Sequence, residues 1–317
     1  MTQTTRKPAL SGVQDALQKL QKIVPETPLR PIKIGESIVW LKCESAQPVG
    51  AFKLRGAWHR LTALTEAERA AGVVAFSSGN HAQGVAWAAQ KLGIHAIIVM
   101  PSDAPALKIA GTQALGAEVL SYDRATQSRE AIAAELAQAR GAVLVPSFDD
   151  SWVIEGQGSC GLEAAGQLRF APSQVIVPCG GGGLAAGIAL ALPDAVIVTA
   201  EPEGWDDMAQ SLRAGEIVPI GKAPPPTLCD ALMTPRVSPL TFDVLYSRGA
   251  RGVAVSEAET AAAMRFAYAE LGLTIEPGGA VALAAALAGK VALTDTTLII
   301  LSGGNVDPAL FAQIVNG

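Results

Sequence analysis

The chain has 317 residues, half of them hydrophobic and 17% charged, and its 24 Lys and Arg against 29 Asp and Glu leave a net charge of −5. That composition excludes a disordered chain. It also lacks the basic footprint that a nucleic-acid or membrane-surface binder needs. The length exceeds what one core usually holds, so two lobes are expected.

Met1 to Gly12 is polar and carries no secretory signal core. Short runs rich in Val and Ile then recur: Ile38–Cys43, Val73–Ser77, His95–Met100, Glu118–Ser121, Ala142–Val145, Gln174–Pro178, Ala195–Ala200 and Thr296–Ser302. Several are apolar throughout, as strands covered on both faces are. Helical patterns lie between them at Asn80–Leu92, Thr126–Arg140, Gly183–Leu192, Glu257–Leu271 and Gly279–Ala288. Alternating strands and helices predict an α/β fold of open, twisted, mainly parallel sheets with helices on both faces. The Pro-rich stretch Ala223–Thr227 reads as an irregular surface connection. The most apolar stretches, 183–200 and 279–288, are interrupted by Pro193-Asp194 or too short to span a bilayer. The cysteines, Cys43, Cys160, Cys179 and Cys229, form no C-x-x-C pair. Free thiols in a reducing cytoplasm are expected, with neither a zinc site nor a disulfide framework.

In parallel sheets ligands sit beyond the carboxyl ends of strands, and three turns there carry polar chemistry. Ser77-Ser78-Gly79-Asn80-His81 follows VVAF and opens a helix. It suits either carboxylate binding on free N–H groups or an ordinary Ser/Asn cap. Gly180-Gly181-Gly182-Gly183 follows VIVPC and precedes an apolar helix, where backbone amides form an anion nest. Gly181, Gly183 and Ala186 also fit G-x-G-x-x-A, with Glu201 twenty residues beyond Gly181, which raises a competing NAD-dependent oxidoreductase. A non-catalytic anion-binding module is a third reading of the same nest. Ser302-Gly303-Gly304-Asn305 follows TTLIIL and suits either close backbone approach to a planar ligand or a simple turn. Lys53 stands between Phe52 and Leu54. A desolvated lysine has a lowered pKa and becomes a nucleophilic amine, as a Schiff base requires. A phosphate nest, a reactive lysine and a hydroxyl partner together suggest pyridoxal phosphate.

The motifs AFKLRGA (51–57), SSGNHAQGVA (77–86), CGGGGLAAGIA (179–189) and LSGGNVD (301–307), in that order, resemble the serine/threonine dehydratase family. These are fold-type II pyridoxal-phosphate enzymes and include serine racemase. The resemblance runs from about Thr27 to Asp307 and implies a role for each matching residue. Lys53 corresponds to the Schiff-base lysine and Phe52 to the residue beside the cofactor ring. Asn80 corresponds to the amide on the ring hydroxyl. Gly180, Gly181, Gly182, Gly183 and Leu184 correspond to the phosphate loop, and Ser302 to the partner of the pyridine nitrogen. Ser77, Ser78, Gly79 and His81 correspond to the substrate-carboxylate loop, and Arg129 to an arginine that some racemases place near substrate. Ser78 is implied as a second acid/base beside Lys53 in racemase-like members.

The resemblance to metal-activated members also points to Glu201, Asp207 and the Trp205 carbonyl as ligands of Mg²⁺ or Ca²⁺; a solvated acidic loop is the alternative. A neutral serine at the pyridine nitrogen makes a weaker electron sink and favours β-elimination over transamination. The expected activity is therefore dehydration and deamination of L-threonine or L-serine to a 2-oxo acid and ammonia. Serine racemisation and dehydration of 3-hydroxyaspartate, or of a bulkier 3-hydroxy amino acid, are the alternatives. Family members often carry serine where this chain has Ala51, and they vary at Gly278-Gly279. The chain ends about a dozen residues after SGGN, so feedback through a C-terminal regulatory domain is not expected. Residues 66–149 are expected to form a small mobile lobe, and 1–65 with 150–317 a large one. The expected state is a cytoplasmic homodimer acting on a small amino acid.

Overall fold

A computed structural model describes residues 6–104 and 106–317. It has ten strands: β1 Leu29–Ile34, β2 Ser37–Cys43, β3 Val73–Phe76, β4 Ala96–Pro101, β5 Glu118–Tyr122, β6 Val143–Leu144, β7 Gln174–Pro178, β8 Val196–Pro202, β9 Arg251–Val255 and β10 Thr297–Leu301. They form a six-stranded sheet in the order β1-β2-β10-β7-β8-β9 and a four-stranded sheet in the order β5-β4-β3-β6. Among the strands of the described residues only β1 and β2 pair antiparallel, with Leu29 opposite Lys42 and Ile34 opposite Ser37. The other ladders are parallel.

Strand β10 shows why the inner strands are apolar throughout. Leu298 and Ile300 pack on one face with Val175, Val177 and the helix Gly183–Ala191. Ile299 and Leu301 pack on the other with Ile176, Val198 and the helix Pro277–Leu287. Successive side chains point to opposite faces, so a strand buried on both sides needs an unbroken apolar run. The four-stranded sheet comes wholly from residues 73–144. One of its faces shares a core with Leu54, Trp58 and Leu61 of the helix Lys53–Thr62, and Trp58 meets Trp87 at 5.7 Å.

The eight strands expected from sequence are present within about two residues of their bounds, and the helices Asn80–Leu92 and Glu257–Leu271 match. The expected helix from Thr126 starts instead at Arg129, because Ser128 caps it by accepting from the Ala131 N–H. Residues 223–227 are irregular, as read. Two strands lay outside the sequence reading, β1 and β9. Both are sheet edges, and β1 carries Pro31, which an edge tolerates. The helix Ser151–Gln167 was also unread, because its four glycines oppose helix propensity. Packing explains them: a Cβ at Gly156 would lie 2.5 Å from the Gly56 Cα, and one at Gly158 2.4 Å from the Gly187 carbonyl oxygen.

A buried ion network ties this helix to the large sheet. Arg55 donates to Glu44 at 2.7 and 2.8 Å and to Glu163 at 3.0 and 2.8 Å. Lys42 adds a 2.6 Å bond to Glu163. All four charges are buried, and each has a partner. The four cysteines are free and buried. Among the described residues no helix is long and apolar enough to cross a membrane.

Candidate active site

The ends of β3, β7 and β10 open into one cleft of about 1220 Å³ between the sheets, and Lys53 lines it with them. The backbone before Lys53 is pinned. Ala51 bridges to Gly303, and the Phe52 N–H donates to the Ser302 carbonyl at 3.0 Å. Lys53 then opens the helix Lys53–Thr62. Its Nζ donates to the Ser147 carbonyl at 3.1 Å and lies 5.1 Å from the centre of the Phe52 ring. Burial pushes its amine down to about 8, opposed by the Glu276 carboxylate. An amine so tuned has a far larger neutral fraction near neutral pH than an ordinary lysine, as a nucleophile or general base needs.

After β7 the chain turns through Gly180–Gly183 into the helix Gly183–Ala191, with Leu184 in its first turn. Gly182 has φ +88°, which a side chain rarely permits. A Cβ at Gly181 would lie 2.4 Å from the Phe148 ring, so a side chain there would have to displace that ring. Thr241 Oγ1 donates to the Gly181 carbonyl at 2.8 Å and fixes the peptide. The free N–H groups of the helix start, with no acidic residue in the first turn, suit a phosphate.

After β3, Ser77 Oγ accepts from the Gly79 N–H at 3.2 Å, and Gly79 leads into the helix Asn80–Leu92. Ser77, Ser78 and Gly79 line the cleft beside this helix start. The Asn80 amide is held at both ends: its Nδ2 donates to Glu276 at 2.6 Å, and its Oδ1 accepts from Asn305 Nδ2 at 2.7 Å. One Nδ2 hydrogen remains for a ligand. Burial and the Asp230 carboxylate push Glu276 up to about 7, while Asn80, Lys108 and Lys53 oppose them. Ser302 lines the cleft at the end of β10.

His81, the last residue of the expected carboxylate loop, also lines the cleft. It is buried, and burial with the nearby Lys53 amine drops its pKa to about 3. Its Nε2 lies 2.9 Å from the Val145 carbonyl and so carries the hydrogen, leaving Nδ1 a bare acceptor. A neutral ring with a bare acceptor offers a carboxylate no hydrogen bond from Nδ1. Arg129 lines the cleft with its guanidinium 5.6 Å from the Phe76 ring centre, and its Nε donates to Glu130 at 2.9 Å.

Glu201, the penultimate residue of β8, is fully buried, and it accepts from the Met208 and Ala209 N–H groups at 3.0 and 2.8 Å. It caps the helix Asp207–Ala214 from inside, so it cannot reach a ribose as a dinucleotide reader must. The NAD reading fails on that geometry. The solvated acidic loop fails too, since Asp207 is also fully buried. Burial, then Asp207, pushes Glu201 well above the carboxylate range, and burial pushes Asp207 up to about 7. Two adjoining buried carboxylates without a counter-charge fit a hard divalent cation. Trp205 stands in the same turn, its indole N–H donating to the Pro225 carbonyl at 2.8 Å. Among the described residues no group of three or more His, Cys, Asp or Glu could hold a metal, so a carbonyl would have to complete this one.

Sequence reasoning missed Glu276, Phe148, Thr241 and the amide role of Asn305. Asn305 lay inside a recognised motif, and Glu276 immediately precedes Pro277 at the start of an apolar helix. Phe148 and Thr241 left no local signal.

A low-pKa lysine facing a glycine anion nest and a free helix start, at the mouths of parallel strands, defines a cofactor-assisted amine-chemistry cleft. The family model described as pyridoxal-phosphate dependent enzyme matches residues 20–303, and the chain belongs to that family. It is 39% identical to an L-threo-3-hydroxyaspartate ammonia-lyase of Saccharomyces cerevisiae, over 98% of this chain and 97% of that one. It is 37% identical to a serine racemase of Schizosaccharomyces pombe, over 98% of each chain. A maize serine racemase structure superposes with a TM-score of 0.90 at 34% identity, covering 97% of both chains. The two-sheet architecture is thus that of fold-type II pyridoxal-phosphate enzymes.

Proposed function

We propose that this protein is a pyridoxal-phosphate-dependent ammonia-lyase that dehydrates and deaminates a 3-hydroxy amino acid to a 2-oxo acid and ammonia. The observation that carries the reading is the Lys53 amine, lowered to about 8 and aimed into a cleft with two separate anion sites. Bound there, the cofactor supplies an electron sink for the bond broken at Cα. Gly180–Gly183 and the N–H of Leu184 hold its phosphate, Asn80 its ring hydroxyl, and Phe52 its ring. The Ser302 hydroxyl meets the ring nitrogen without placing a charge there. Ser77, Ser78, Gly79 and the first N–H groups of the helix Asn80–Leu92 hold the substrate carboxylate. Lys53 takes the Cα proton as general base. Arg129 adds positive charge at the mouth of the cleft.

Racemisation is the second reading, because the Ser78 hydroxyl lines the same cleft as Lys53 and could return a proton to Cα. Glu201, Asp207 and the Trp205 carbonyl hold Mg²⁺ or Ca²⁺ in this proposal. Residues 66–149 form the lobe that moves over substrate, and the working unit is a cytoplasmic homodimer. The test is 2-oxo acid formation from L-serine, L-threonine and L-threo-3-hydroxyaspartate, with chiral analysis of the remaining amino acid. Oxo acid without the D-enantiomer supports the lyase. D-enantiomer without oxo acid replaces it with a racemase, and neither product from a cofactor-loaded protein refutes both.

A further inference from the structure

Besides Lys53, three cationic side chains line the cleft: Lys108, Arg129 and Arg236. Lys108, on the helix Ala106–Ala114, reaches across the cleft and donates to Asp230 at 2.6 Å. Its side chain is 16% exposed, and its Nζ lies 3.8 Å from where a Cβ on Gly79 would stand. The ammonium therefore sits against the loop that takes the α-carboxylate. That carboxylate is already served by backbone N–H groups and hydroxyls of residues 77–80. Arg129 is paired as well, with Glu130, but its guanidinium lies over Phe76, whereas the atom within 4 Å of a Cβ on Gly79 is Lys108 Nζ.

We infer that Lys108 recognises a second, side-chain carboxylate, so that the preferred substrate is a 3-hydroxy amino dicarboxylate. The inference rests on the proposed lyase reading and specifies its substrate class. In the shortest such molecule, 3-hydroxyaspartate, the two carboxylates sit on the adjacent carbons Cα and Cβ, so the second falls near the first, where Lys108 stands. An ammonium has three donors, and Asp230 occupies one. The others are free to bind an incoming carboxylate by charge-assisted hydrogen bonds. Asp230 holds the ammonium in place, and its negative charge limits binding of the second carboxylate until Lys108 offsets it. With serine or threonine, Lys108 stays paired with Asp230 and adds nothing to recognition.

The test compares the holoenzyme with its Lys108→Met variant on L-threo-3-hydroxyaspartate and L-serine. The selectivity ratio, kcat/KM for the dicarboxylate over kcat/KM for serine, should fall about 30-fold or more, mainly through KM. An unchanged ratio, with both substrates losing equally, would make Lys108 a closing contact and overturn the inference. So would a wild type that prefers serine, although the lyase reading would then survive. A binding measurement separates failure of that reading from failure of this one. By visible absorbance of the holoenzyme, succinate should bind at least about tenfold more tightly than propionate, and Lys108→Met should remove the preference. Asp230→Asn should tighten succinate several-fold, and weaker succinate binding in that variant would count against the assignment.

Discussion

The sharpest expectation concerns the ionisation of Lys53. Burial lowers its amine from 10.5 to about 8. At pH 7 about one molecule in eleven then carries the neutral amine, against about one in 3,000 for an ordinary lysine, a gain of about 300-fold. Only the neutral amine attacks an aldehyde, so cofactor uptake by the apoenzyme should follow this fraction. The assay is stopped-flow absorbance at a fixed excess of pyridoxal phosphate from pH 6 to pH 10. The rate should rise about tenfold per pH unit below pH 8 and level off above it. Glu276→Gln removes the carboxylate that holds the proton on Lys53 and should move the bend to lower pH. A rate that climbs log-linearly to pH 10 would refute the desolvation argument. A bend that stays in place in Glu276→Gln would remove Glu276 as the opposing charge.

Gly182→Ala places a side chain at φ +88° with its Cβ 2.6 Å from the Met208 methyl, so cofactor affinity should fall at least about tenfold, read by equilibrium dialysis. Arg55→Met leaves Glu44 in the core without its salt-bridge partner and Glu163 with Lys42 alone, and should cost about 3–5 kcal/mol in urea unfolding. The Arg55 network holds Glu163 down at about 2, against 4.5 unperturbed. Its stabilisation is therefore complete above about pH 4.5 and lost as the pH falls toward 2, and the acid transition should flatten in Arg55→Met. Mg²⁺ or Ca²⁺ at a hundredfold excess over its Kd should stabilise the fold by about 2.7 kcal/mol, and a chelator should reverse this. Asp207→Asn should abolish that response; a thermal midpoint indifferent to both cations in the native protein would remove the site. Asn305→Ala frees one end of the Asn80 amide and should shift the visible band of the bound cofactor, measured against unchanged far-ultraviolet dichroism.

The sequence by itself determined the fold class and most of the cleft. Unbroken apolar runs such as TLIIL, spaced by amphipathic stretches, left few options besides two-sided parallel strands. The glycines and hydroxyls at their ends marked the ligand side, because those residue types serve chain reversal and anion contact locally. Lys53, Gly180–Gly183 and Ser302 were legible for that reason. Tertiary structure decided what depends on residues far apart in the chain. Glu276 and Asn305 clamp Asn80 from more than 190 positions away, and the Phe148 ring presses against Gly181. The glycines of the helix Ser151–Gln167 looked like helix breakers until Gly56 and Gly187 were seen pressed against them. His81 carried the expected residue type at the expected place, yet burial and the Val145 carbonyl set its tautomer and removed its charge. Local pattern fixes what a segment can do, whereas burial and the nearest charge fix the state in which it does it.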